Sequence, residues 1–281
     1  MDAQARWSGR TVCLLAAGLL IALTGWRQAL AATEYSFAVV PQFEQRKLFA
    51  VWRPIVDELS RRSGFPLKLV APLSVAEFET QLSGGSYDIV YANPYHILRE
   101  SSRQGYIPLI RDATPLRGII VVARDSPFRT PADLAGQRLG IPSPNALGAS
   151  LLVRADLERL FKVKVEPVNV KTHSSVYLHV ANGLLPAGGG VEKTLAEQTP
   201  AVQALLRVFY TTREMPSHPI AAHPRLPPEV RTALRKALLE MAATPEGLAL
   251  LEKVPMSKPV AASIKDYAPM LAWDLEKYWT P

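Results

Sequence analysis

Cysteine is nearly missing from this 281-residue chain: the only one, Cys13, lies in an apolar leader. The remainder therefore has neither a disulfide framework nor a thiol nucleophile. HExxH, GxSxG, a Walker loop and a dinucleotide fingerprint are also missing. Five histidines are present, but the spacings of six (His173 to His179) and five (His218 to His223) match no familiar ligand set. No metal and no cofactor are expected, and no nucleophile–base pair points to an enzyme. The formal charge of +7 is not gathered into lysine and arginine runs and is not interleaved with aromatics, so no nucleic-acid partner is expected.

What is present begins with a secretory leader. Arg6 and Arg10 precede the uncharged apolar stretch Thr11 to Thr24, and Ala29-Leu30-Ala31 is a small-x-small cleavage site. The stretch falls short of the roughly 20 residues of a spanning helix, so cleavage after Ala31 is favoured over an uncleaved anchor. Cys13 lies too early to be a lipidated residue. These features predict a soluble periplasmic protein, with a secreted Gram-positive protein as the rival. Removing the leader leaves 29 basic and 24 acidic side chains, a mildly basic surface compatible with a weak pull on small anions.

Strand and helix signals then alternate. Strands are expected at Tyr35 to Val40, Leu67 to Val70, Ile89 to Tyr91 and Ile119 to Ala123. Between them, Ala50 to Gly64 has helical spacing at Trp52, Ile55, Val56 and Leu59, with Pro54 as a kink or a first turn. A second cycle follows Ser126-Pro127, with strands at Arg138 to Ile141, Val165 to Val170 and Ala204 to Tyr210. Pro228 and Pro245 start helices of a tail, and Ile264, Tyr267, Leu271, Leu275 and Tyr278 continue its apolar face. The rhythm predicts an α/β fold of two lobes, each a mostly parallel sheet flanked by helices. Lobe 1 is expected at 32–123 with 218–281 returning to it, and lobe 2 at 124–217, with hinges near Ile119 to Ala123 and Ser217 to Ala222.

Three strand-to-helix junctions share one design: Asn93-Pro94-Tyr95, Ser143-Pro144-Asn145, and Thr172-His173-Ser174-Ser175. Each sets polar side chains beside unpaired helix-start amides, which suits an oxyanion. Ordinary helix capping uses the same residue types, so each junction alone is open to either reading. Gly188-Gly189-Gly190 lacks the Lys-Ser/Thr of a phosphate loop and reads as a flexible turn or a close backbone approach.

Taken together, the tryptophan-proline helix from Trp52, the stretches GGSYDIVYANPYHIL from Gly84 and ADLAGQRLGIPSPNALGASLL from Ala132, THSSVYLHVANG from Thr172 and the MPSHPI turn resemble the PhnD-like substrate-binding proteins of phosphate/phosphite/phosphonate ABC transporters. These are two-lobed type II periplasmic binding proteins. The resemblance implies capture of a small oxyanion for an ABC permease, with ligand contacts from Tyr95 and His173; the junctions and the helix start add Asn93, Ser143, Asn145, Ala146, Leu147, Gly148, Ser174, Ser175 and His218 as candidates, and a monomer is expected. A sensory module docking on a kinase or receptor is the alternative. Three departures bear on the ligand. The family's hydroxyl-rich helix start falls on Ala146-Leu147-Gly148-Ala149, its amine-binding acid falls on His218, and its Asp-Ala-Gly reads Pro186-Ala187-Gly188. A phosphate-like or phosphonate-like anion without an amine is the expected ligand.

Overall fold

Residues 33–42 and 44–280 are described by a computed structural model, and the leader expected at 1–31 lies outside them. The chain runs β1 (Tyr35–Val39), α1 (Gln45–Ser63), β2 (Leu67–Val70), α2 (Val75–Ser83), β3 (Ile89–Tyr91), α3 (Pro94–Arg103), β4 (Ile107–Asp112) and β5 (Leu116–Ala123). It continues with β6 (Arg138–Ile141), a π-helical segment (Leu147–Leu152) merging into α4 (Val153–Phe161), β7 (Glu166–Asn169) and α5 (His173–Ala181). After these come β8 (Ala187–Val191), α6 (Glu192–Ala196), α7 (Pro200–Ala204) and β9 (Leu206–Met215). Last are β10 (Ile220–Ala222), α8 (Pro228–Ala242), α9 (Pro245–Leu251), β11 (Pro259–Ala261) and short 3-10 turns between 264 and 278.

These strands form two sheets, ordered β11-β4-β10-β3-β1-β2 and β7-β6-β8-β5-β9. Most strands run one way, but both sheets are mixed. β10 pairs antiparallel with β3 and β4, and β5 pairs antiparallel with β8 and β9. The cause is topological. Forward strands end at the cleft, so a strand that has just crossed the cleft starts there and must run the other way. The chain crosses at 113–115, from β4 to β5, and again at 216–219, from β9 to β10. Ile119 to Ala123, read from sequence as the close of the first lobe, therefore belongs to β5 of the second sheet, between β8 and β9.

Helix α1 starts earlier than its apolar spacing implied and carries Pro54 in its interior. Its buried face of Leu48, Trp52, Ile55, Val56 and Leu59 covers the first sheet, where Trp52 packs between Phe37 and Tyr91. The expected strand at 204–210 extends to Met215. The last apolar stretch forms 3-10 turns rather than a helix, because Pro269 interrupts it and Asp274 takes φ 51°. Its buried residues Tyr267, Met270, Leu275 and Tyr278 cluster with Tyr95 and Leu98 of the first lobe and with Leu147, Leu151 and Leu152 of the second. The tail thus touches both lobes, not the first alone.

The triple glycine is a buried strand, and of the two readings open for it the close backbone approach is the one observed. A Cβ on Gly189 would lie 1.9 Å from the Ala149 carbonyl oxygen, and one on Gly118 would lie 2.3 Å from that of Gly148. The π-helical segment consequently rests backbone to backbone on β5 and β8. Gly189→Ala is expected to cost about 1–3 kcal/mol or more, the range of overpacking in a core. Gly84→Ala, whose Cβ would meet nothing closer than 3.5 Å at φ −78°, is expected to be near neutral. Urea unfolding of the two variants checks this, and equal midpoints would remove the packing argument.

Candidate functional site

The forward strands of both sheets deliver their carboxyl ends to one cleft, where ligands of open α/β sheets lie. The cavity there has a volume of about 80 Å³. At about 10–15 Å³ per water it holds roughly five to eight small atoms. Val40 to Gln42 follow β1, Asn93 and His96 follow β3, and Pro142, Ser143 and Ala146 to Ala149 follow β6. Lys171 to His173 follow β7, Val191 ends β8, and Lys193, Thr194 and Glu197 follow it. His218 comes from the second crossing, and Leu116, Met215 and Pro255 supply an apolar wall.

Helix starts aim at this space because the local sequence caps them. Asn93 accepts a hydrogen bond from the His96 amide at 2.9 Å, and Thr172 accepts one from the Ser175 amide at 3.0 Å. At the third start no side chain caps. The first backbone bonds are from Ser150 and Leu151 to the Ala146 carbonyl, so the amides of Leu147, Gly148 and Ala149 come before the bonded ladder. The positive ends of three helices converge on the cavity, an arrangement that favours an anion.

Two lysines add full charges. Lys171, with φ 75°, and Lys193 line the cavity, and neither has an ion pair among the described residues. Among the described residues Glu197 is the one lining carboxylate, and it lies exposed at the rim. The histidines do not add to this charge. Burial pushes the His173 imidazole down to about 4. Burial first, then the nearby His96 and His173, pushes His218 down to about 3. His218 stacks on Tyr91, with ring centroids 5.4 Å apart, and its Nε2 lies 3.1 Å from Gln42 Nε2. With the Gln42 amide as donor, the His218 proton sits on Nδ1, which is buried without a partner among the described residues. His173 Nδ1 lies 3.4 Å from Thr194 Oγ1, which also bonds the Tyr177 hydroxyl at 2.7 Å.

Of the residues singled out from sequence, Asn93, Ser143, Ala146, Leu147, Gly148, His173 and His218 line the cavity. Tyr95, Asn145, Ser174 and Ser175 do not. The Tyr95 hydroxyl donates instead to Glu276 at 3.0 Å. The Asn145 side chain bonds Glu79 and both the amide and carbonyl of Thr280. Ser175 is held by the Thr172 cap, and Ser174 is exposed. Sequence reasoning missed Gln42, Lys193 and Thr194. All three follow a forward strand directly, and the strand-end rule applied to β1 and β8 would have found them. Among the described residues no group of three His, Asp or Glu side chains is placed to hold a metal ion.

A family model for "ABC transporter, phosphonate, periplasmic substrate-binding protein" matches residues 37–267. A binding-protein component of an ABC phosphonate transporter from Pseudomonas aeruginosa superposes with a TM-score of 0.75 at 18% identity, covering 88% of this chain and 87% of its own. PhnD1 from Prochlorococcus marinus, in complex with methylphosphonate, gives 0.75 at 13% identity, covering 87% and 98%. A chloride-bound protein from Xanthomonas citri gives 0.71 at 16% identity, covering 87% and 98%. None of the curated proteins matches the sequence.

The two lowered histidines make stability depend on pH in a definite sense. Their folded pKa values lie below the unfolded value near 6.5, so the unfolded chain binds more protons between the two. The stability of the ligand-free protein is expected to be fully present above about pH 6.5 and to fall as the pH drops toward about 4. His218→Gln keeps a partner for Gln42 and should flatten the loss across that window. Urea midpoints at pH 7 and pH 4.5 test this. An identical fall in the variant would show that His218 is not held neutral.

Proposed function

Because the chain belongs to the family of periplasmic substrate-binding proteins of phosphonate ABC transporters, we propose that its cleft captures a small oxyanion lacking an amine, of the phosphate, phosphite or simple phosphonate kind. The family is one of transport proteins and not of enzymes. It implies a periplasmic location, a small ligand and an ABC permease as partner. The importer reading stands ahead of the sensory one on that ground. A cleavable leader at 1–31, a monomeric state and the absence of catalysis or nucleic-acid binding are parts of the same proposal.

The observation that carries the ligand reading is the convergence of three helix starts and two unpaired lysines on a cavity of about 80 Å³. That volume suits an ion of four or five heavy atoms. The position where a carboxylate would meet a ligand amine holds His218, kept neutral by burial. Glu197 is too exposed to replace it, since an exposed charge is screened by water. In this reading the ligand oxygens take the amides of Leu147, Gly148 and Ala149, the side chains of Asn93, Ser143, Thr172 and His173, and the charge of Lys193. The apolar wall of Leu116, Leu147 and Met215 closes the far side.

Calorimetric titration of the mature protein with phosphate, phosphite, methylphosphonate and 2-aminoethylphosphonate tests this. At least one of the first three is expected to bind tightly, and the aminophosphonate weakly. Lys193→Met should weaken the bound anion by roughly tenfold, about 1.4 kcal/mol, and reduce the salt dependence. Tight binding of the aminophosphonate with none of the others would overturn the assignment.

A further inference from the structure

Residues 264–280 span the two lobes without being one of the two chain crossings. Their hold on the second lobe is the more extensive. Arg154 donates to the Tyr278 carbonyl at 2.8 Å, Glu158 accepts from Lys277 and from the Tyr278 hydroxyl, and Arg159 donates to the Trp273 carbonyl. Asn145 bonds Thr280 twice, at 2.7 and 2.9 Å. On the first lobe and its crossing the tail has fewer polar bonds: near its root Arg111 pairs with Asp266 and the Tyr267 hydroxyl donates to the Ser217 carbonyl, and the rest lie near residue 276 or beyond. Glu276 takes the Tyr95 hydroxyl and pairs with Arg99, while the Trp279 ring lies under the Arg99 guanidinium at 4.0 Å and against His96. Beside these, two direct side-chain bonds join the lobes among the described residues. Asn145 Nδ2 donates to Glu79 at 2.9 Å, and Asn93 Nδ2 donates to the Asn145 carbonyl at 3.3 Å.

We propose that Tyr95, Glu79, Glu276 and Trp279 form an interlobe clasp that fastens the closed cleft from outside the cavity and sets how long the ligand stays. The inference rests on the reading that a ligand is captured by closure. A hinge rotation about 113–115 and 216–219 must part whichever contacts join one lobe to the other. The tail follows the second lobe, where its bonds are more numerous. The contacts that separate are then Tyr95–Glu276, Arg99–Glu276, Trp279 on Arg99 and His96, Glu79–Asn145 and Asn93–Asn145. None of Tyr95, Glu79, Asn145, Glu276 and Trp279 lines the cavity. They reach it through two shared residues, His96, whose Nε2 lies 2.8 Å from Glu79, and Asn93. These four are positioning residues: they add to the stability of the closed form and so act on ligand departure, not on ligand recognition.

The test compares wild type with Tyr95→Phe, Glu276→Gln and Glu79→Gln. Release of inorganic phosphate and of methylphosphonate is followed by stopped-flow tryptophan fluorescence, and ligand-free proteins are measured by small-angle scattering. Glu276 is more than half exposed, so each loss is modest. Release should quicken about three- to tenfold with the association rate and the order of anion preference unchanged, and the ligand-free radius of gyration should rise. A merely structural role would lower the melting temperature without either change. Unchanged release in all three variants, or a loss confined to association, would overturn the clasp. If no anion binds the wild type, the ligand reading fails, and the clasp is still decided by whether the ligand-free variants open in scattering.

Discussion

The arrangement of this cleft depends on one backbone-to-backbone contact. The segment 146–149 lies so close to Gly118 and Gly189 that a single methyl group on either strand would collide with its carbonyls. That contact aims the Leu147, Gly148 and Ala149 amides at the cavity. It also explains the local helix type. Both the Ser150 and Leu151 amides reach the Ala146 carbonyl, at 2.8 and 3.1 Å, which widens the first turn into a π-helical one. Such turns are rare and occur often at functional positions. Where hydroxyl side chains are lacking, an exposed first turn of amides takes their place as donors, and bare glycine strands are what allow the helix start to sit that low.

Charge at the site divides by strength and by range. A hydrogen bond to a charged group within a closed cavity is worth about 1.5–3 kcal/mol, whereas an exposed charge pair is worth about 0–1 kcal/mol. In the proposed complex the amides and buried polar side chains set orientation and most of the affinity. Lys171, exposed to water, mainly supplies a field that draws anions in, and the half-buried Lys193 adds its charge to the hold on the ligand. The histidines belong with the amides. Burial keeps them neutral, so each offers one donor and one acceptor in place of a cation. A cationic ligand finds no buried carboxylate here, and a highly charged anion finds no buried cation. A small, singly or doubly charged oxyanion matches both conditions.

Much of this was legible in the chain itself. The Asn93-Pro94 cap, the Thr172 cap and the strand at Ile89–Tyr91 each follow from local rules, and all three stand where those rules put them. The α/β alternation was equally local. What was not legible was long-range. Tyr95 sits in the first turn of a correctly read helix, yet its ring is drawn to a tail residue 181 positions away in sequence. Asn145 lies in a correctly read junction and is claimed by Glu79 and Thr280 instead of the cavity. Capping rules cannot say which way a side chain turns when a remote segment competes for it. The glycine strand was obscure for a related reason: the absence of side chains conveys no periodicity, and its use appears only against the helix that packs there.

The two crossings meet at Asp112, whose buried carboxylate holds the first crossing to the strand before the tail and whose carbonyl holds the second, and this bears on how the lobes move. Desolvation would raise the Asp112 pKa, but the amides of Lys258 and Thr114, at 2.7 and 2.6 Å, outweigh it and hold the carboxyl below its usual range. The Asp112 carbonyl takes the Ser217 hydroxyl at 2.7 Å, and the Ser217 carbonyl takes that of Tyr267 at 3.4 Å. The first crossing, the second crossing and the root of the tail are thus tied at one point. Breaking a buried hydrogen-bonded carboxylate out of such a knot costs several kcal/mol, more than a hinge can spend on each opening. Rotation must therefore leave the knot intact and bend the few residues on either side of it. Displacement in a rotation grows with distance from the axis, so contacts away from the knot part before those at it. The pairs of the exposed Glu276 are the separable contacts with the first lobe, and the buried Asp112 knot is the fixed one.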